Sequence, residues 1–60
     1  MITLYKNGKE IERGNAFDLM RPFFDPNELQ GVYLSMRYDL KQEGRFEFVV
    51  DNDVYFMRED

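Results

Sequence analysis

Hydrophobic and polar positions alternate with period two near both ends of the chain and fall into helical spacing between them. Near the start, Asn7-Gly8 is the strongest short-range hairpin signal, because a type I′ turn needs positive φ at both central positions. A two-residue loop pairs Lys6 with Lys9, Tyr5 with Glu10, Leu4 with Ile11 and Ile2 with Arg13. This register gathers Ile2, Leu4 and Ile11 on one face and Thr3, Tyr5, Glu10 and Glu12 on the other.

The centre, from Gly14 to Gly31, carries two helix starts. Asn15 is a good N-cap with Asp18 three residues on, and Phe17, Met20 and Phe24 follow at helical spacing. Pro22 removes an N–H and pushes Arg21 from the α region, so this helix ends or bends after about two turns. Asp25-Pro26-Asn27-Glu28 is the second start, with Asp25 as cap, Pro26 at the first helical position and Glu28 closing the box. Gly31 is a candidate left-handed terminator of that short turn.

Alternation then returns. Val32, Leu34, Met36, Tyr38 and Leu40 share one parity, and Tyr33, Ser35, Arg37 and Asp39 the other, which predicts a strand. Lys41–Gly44 reads as a turn, Phe46, Phe48 and Val50 as one face of the next strand, and Asp51-Asn52-Asp53 as a second turn. The last strand, Val54–Met57, has two possible registers, pairing Phe48 with Met57 or with Phe56, and is apolar on both faces. The expected fold is α+β, ββαβββ: one domain over residues 1–60, with a mainly antiparallel sheet of about five strands and one short helix on one face. The covered face is then Ile2, Leu4, Ile11, Leu34, Met36, Tyr38, Phe46 and Phe48, closed by Phe17, Met20 and Phe24.

Composition narrows the function more than it names it. The chain has no His, Cys or Trp, one Ser (Ser35) and one Thr (Thr3). Most groups that carry neutral-pH acid–base or nucleophilic chemistry are missing, so an enzyme is not expected. Disulfides are impossible, soft-metal sites lack ligands, and no cofactor or metal is called for. Asp51-Asn52-Asp53 opens like a calcium loop but lacks the following Gly and the distal bidentate Glu. The four glycines are isolated and form no phosphate-cradling loop. No apolar run approaches a membrane span and no secretion signal is visible, so a cytoplasmic protein with no membrane partner is expected. The net charge of -4 argues against direct nucleic-acid binding and permits a basic protein partner.

Ten aromatics are more than 60 residues easily enclose. Tyr5, Tyr33, Val49 and one parity of the last strand fall opposite the expected helix. Either the sheet curls into a small barrel that buries both faces, or this face is an interface. Phe23 and Phe24 cannot both face the sheet from an undistorted helix. Either Pro22 bends the chain so that both pack, or Phe23, near Asp18 and Asp25, is an apolar anchor ringed by acid. Asp51, Asp53, Glu59 and Asp60 gather acid near the C-terminal hairpin, either as a solvated edge or as an imitation of phosphates. Lacking a covalent staple, the chain is also expected to form a homodimer through its aromatic sheet face or its helix.

The order Asn7-Gly8-Lys9, Arg13-Gly14, a helix with Asp18 and Phe23, Asp25-Pro26-Asn27-Glu28 and Arg37-Tyr38-Asp39 resembles the small phage inhibitors of uracil-DNA glycosylase, the short dimeric type. The similarity spans about Ile2 to Asp39 and is one of order and residue character. It implies a homodimer in the host cytoplasm that imitates DNA in the enzyme's groove, with Asp18 and Phe23 in the contact. Pro22 in the helix and the added segment Gly44–Asp60 depart from that pattern. The expected function is a small acidic inhibitory binding protein against a nucleic-acid-processing enzyme, with Asp18, Phe23, Phe24, Asp25, Glu28, Tyr5, Glu10, Glu12 and Tyr33 as partner-binding residues. The alternative is a structural or regulatory interaction module, such as a toxin-neutralising partner or assembly subunit.

Overall fold

A computed structural model describes residues 1–59. The chain is α+β: β1 (Ile2–Lys6), β2 (Lys9–Gly14), α1 (Ala16–Met20), α2 (Pro26–Glu43), β3 (Phe46–Val50) and β4 (Asp53–Glu59). The four strands form one antiparallel sheet in the order β2-β1-β4-β3, with the helices on one face. The sheet is open, with β2 and β3 as its edges, so it does not close into a barrel.

The first hairpin turns at Asn7 and Gly8, both at positive φ, and pairs Lys6 with Lys9 and Tyr5 with Glu10 as expected. Beyond that the register slips. Leu4 faces Glu12, Thr3 faces Arg13 and Ile2 faces Gly14, so Ile11 is a bulged residue without a partner and is exposed. The expected pairing of Leu4 with Ile11 therefore does not form. β1 is instead completed on its other side by β4, which sets Leu4 against Met57 and Ile2 against Glu59.

Asn15 caps α1, its side chain accepting from the Phe17 N–H at 2.9 Å, and the helix ends at Met20 before Pro22. Asp25 caps α2, accepting from the Asn27 N–H at 2.8 Å, and Pro26 takes the first helical position. This helix does not stop at Gly31. It runs 18 residues to Glu43 and ends at Gly44 in left-handed geometry, φ 84. The strand expected over Val32–Leu40 is thus helical, and the sheet has four strands instead of five. The same segment fits both periods. Leu29, Val32, Tyr33, Met36 and Leu40 recur at i, i+3, i+4, i+7 and i+11, and these are its inward residues. Leu34 and Tyr38, placed in the core by the alternation, point outward and are exposed.

The last hairpin turns at Asp51 and Asn52, with φ 50 and 71, so Phe48 pairs with Tyr55 and neither expected register holds. Asp and Asn tolerate left-handed φ, which moves the two-residue loop one place earlier and starts β4 at Asp53. The buried core is Ile2, Leu4, Leu19, Met20, Leu29, Met36, Phe46, Tyr55 and Met57. Phe23 and Phe24 both pack on it. The Phe23 ring lies 4.7 Å from Tyr55 and 5.3 Å from Phe48, and the Phe24 ring 5.1 Å from Phe48. The non-helical turn around Pro22 lets two adjacent side chains reach the same sheet face.

Candidate functional site

Alternation along β1 and β4 turns Ile2, Leu4, Tyr55 and Met57 toward the helices and Thr3, Tyr5, Phe56 and Arg58 away from them. The outward set meets no helix. Register arranges it in three rows across the sheet. Thr3 is flanked by Arg13 and Arg58, and Arg45, just before β3, extends this row. Tyr5 lies between Glu10 and Phe56, and Glu47 follows. Val54 pairs with Val49 in the third row.

The centre is an aromatic stack. The Tyr5 and Phe56 rings lie 4.4 Å apart at 8°. Guanidinium groups flank them: Arg45 Cζ sits 4.3 Å from the Phe56 centroid and Arg58 Cζ 5.7 Å from that of Tyr5. Arg45 also donates to Glu47 Oε2 at 2.8 Å, and Arg13 pairs with Glu10 at 3.2 Å. Tyr5 and Phe56 are half-buried, whereas Val49 and Val54 are 65% and 40% exposed. An apolar centre with an alternating charged rim is the anatomy of a protein-binding patch, in which Tyr, Phe and Arg are enriched.

The expected partner-binding residues divide between two layers. Tyr5 and Glu10 belong to this open face, and Glu12 is exposed on edge strand β2. Asp18, Phe23, Phe24, Asp25, Glu28 and Tyr33 belong to the helical side. Asp18 pairs with Arg21 at 3.2 Å, Asp25 is occupied as a cap, and Glu28 is exposed in the first turn of α2. Tyr33 stacks on Phe17 at 4.3 Å and accepts a hydrogen bond from Arg37 at 3.1 Å, which raises the Arg37 pKa above its ordinary value. Phe23 packs inward, so its ring is a core contact and not a protruding anchor. Of the two parities open for the last strand, Tyr55 with Met57 or Val54 with Phe56, the second lies on the open face, whereas spacing does not single out Arg45 and Arg58, whose places depend on the register set by Asp51-Asn52. Of the acidic cluster, Asp53 binds Asn7 and pairs with Lys6 at 3.7 Å, while Asp60 lies outside the described residues.

A shallow groove of ≈ 360 Å³ lies between α2 and the start of the sheet, with Ile2, Ala16 and Met36 at its base and Asn15, Arg37 and Glu59 around it. Among the described residues, no group of three or more Asp and Glu comes together as a metal site. Among the same described residues, no buried side-chain nitrogen or oxygen lacks a partner, and no helix is long and apolar enough to cross a membrane. Comparison with known proteins finds no matching family model, no matching curated protein and no matching solved structure.

Proposed function

We propose that the chain is a small, non-catalytic, cytoplasmic binding protein that docks on another protein through its open sheet face. The observation that carries this reading is the Tyr5–Phe56 stack on the side that no helix covers. Two aromatic rings on an uncovered face supply the desolvated centre of an interface, and the Arg and Glu of the rim fix orientation. The net charge of -4 steers the molecule toward a basic partner. A single-stranded nucleic acid is disfavoured here. Arg45 lies against one ring, and Glu10 and Glu47 occupy the same row, where they repel phosphates. Phe56→Ala is expected to weaken partner binding by about 30-fold, the scale of a hot-spot residue. Unchanged affinity in a folded Phe56→Ala protein rules the reading out.

A second reading, inhibition of a nucleic-acid-processing enzyme such as uracil-DNA glycosylase, is favoured by the exposed acids Asp18, Asp25 and Glu28 on the helical layer. In that version, added protein stops uracil excision at near-stoichiometric ratio, more weakly at high salt, and Asp18→Lys restores excision. Complete excision in excess protein eliminates the glycosylase and leaves the open-face binder.

A further inference from the structure

We infer that two copies of this chain pair antiparallel along β3, joining their sheets into one of eight strands, with Glu47 of each copy opposite Val49 of the other. The pairing uses the sheet edge and does not depend on what binds the open face.

The two edges of the sheet are not alike. Four of the six residues of β2 are charged, and the Ile11 bulge interrupts its ladder. Both features discourage edge-to-edge pairing. β3, with the sequence Phe-Glu-Phe-Val-Val, has one charge and no bulge, and pairs with β4 without a slip. Such an edge is a ready template for another strand.

Hydrogen-bond parity says which residues are available. The Asn7 N–H donates to the Val54 carbonyl at 2.7 Å, and the Val54 N–H donates to the Asn7 side chain at 2.9 Å, so the Val54 backbone faces β1. Backbone groups alternate along a strand, so Asp53, Tyr55 and Met57 face β3 and bond to Val50, Phe48 and Phe46. The N–H and C=O of Glu47 and Val49 then point away from the sheet. A second strand must pair through these two residues.

That parity allows three central registers. Pairing Glu47 with Glu47 opposes two carboxylates. Pairing Val49 with Val49 sets Glu47 against Asp51, again two acids. Pairing Glu47 with Val49 removes both conflicts and places Arg45 of one copy opposite Asp51 of the other, twice by symmetry. It also brings the two Phe48 rings together on the helical side. There each already belongs to a cluster with Phe23, Phe24, Phe46 and Tyr55, so the aromatic layer continues across the seam. Sequence alone suggests a dimer through the aromatic face or the helix, whereas this geometry moves it to the edge. The open face stays free, and each dimer presents two of them side by side.

The chain has no cysteine, so single thiols report the register directly. Sedimentation of the native protein at hundred-micromolar concentration should give twice the 7.3 kDa chain mass. An equimolar mixture of Glu47→Cys and Val49→Cys proteins should form the disulfide-linked dimer faster than either protein alone. Val49→Pro removes one outward N–H, which the fold does not use, so the variant should remain folded by circular dichroism while dimerisation weakens about tenfold or more. Asp51→Asn keeps a residue that tolerates the left-handed turn and should weaken the dimer by a smaller factor. A native protein that stays monomeric, a dimer unaffected by Val49→Pro, or cross-linking that favours either single variant over the mixture overturns the proposal.

Discussion

Arg45 shows how one residue can serve fold and surface together. Its guanidinium covers Phe56 and donates to Glu47, which faces Phe56 across the ladder. All three groups are at least partly solvent-exposed, so each contact is modest. A surface cation–π contact contributes ~0.5–1 kcal/mol and an exposed ion pair less. Arg45→Ala is expected to lower unfolding free energy by about 1 kcal/mol, read from the denaturation midpoint at unchanged slope. Arg45→Lys should recover less than half of that, because an ammonium cannot lie flat on a ring and engage a carboxylate in the same plane. Full recovery by Lys would show that charge alone matters. Thr3, by contrast, is a polar residue buried on the same face, flanked by Arg13 and Arg58.

At the scale of elements, α2 decides the architecture. Its start is well marked by Asp25 and Pro26 and its end by Gly44, whose φ of 84 suits glycine. Gly31 sits inside it, with open space where a Cβ would project. Glycine there costs ~0.5–1 kcal/mol relative to alanine, so Gly31→Ala should stabilise the protein by about that amount and raise the melting temperature by several degrees. A left-handed helix terminator at this position, which the residue order suggests, would predict the opposite sign, because alanine is strained at positive φ. The caps at Asn15 and Asp25, the Asn7-Gly8 turn and the α+β class are legible in the residue order because each depends on contacts within a few residues. Over Val32–Leu40 five alternating apolar residues fit period two and so suggest a strand, while Leu29, upstream of Gly31, supplies the missing member of the helical set. The Ile11 bulge and the Asp51-Asn52 turn were not legible for a different reason. Asp51, Asn52 and Asp53 all tolerate left-handed φ, so residue type does not say which two form the loop, and the Ile11 bulge shifts a ladder whose Asn7-Gly8 turn by itself calls for none; the resulting register buries Tyr55 and Met57 and turns Phe56 outward. Of the residues expected on the open face, Tyr5 and Val49 lie there, whereas Tyr33 sits on α2 and stacks on Phe17, and the arginines of the face depend on that register.

For the whole molecule, the exposed area of 4301 Å² is close to the ~4,200 Å² of a compact monomer of its mass. The fold therefore closes its own core, and association joins finished surfaces. Two exposed apolar sites compete as the recognition surface: the Tyr5–Phe56 face with Val49 and Val54, and the Leu34–Tyr38 pair on the outside of α2, which are 62% and 66% exposed. Only the first combines a stacked aromatic centre with a charged rim. The decisive measurement is partner capture from bacterial lysate by three immobilised proteins: native, Tyr5→Ala/Phe56→Ala, and Leu34→Ala/Tyr38→Ala, with folding of each verified by circular dichroism. The open-face account predicts that the native chain and the helix-face variant retain the same protein while the sheet-face variant loses it. Retention by the sheet-face variant together with loss by the helix-face variant would contradict it.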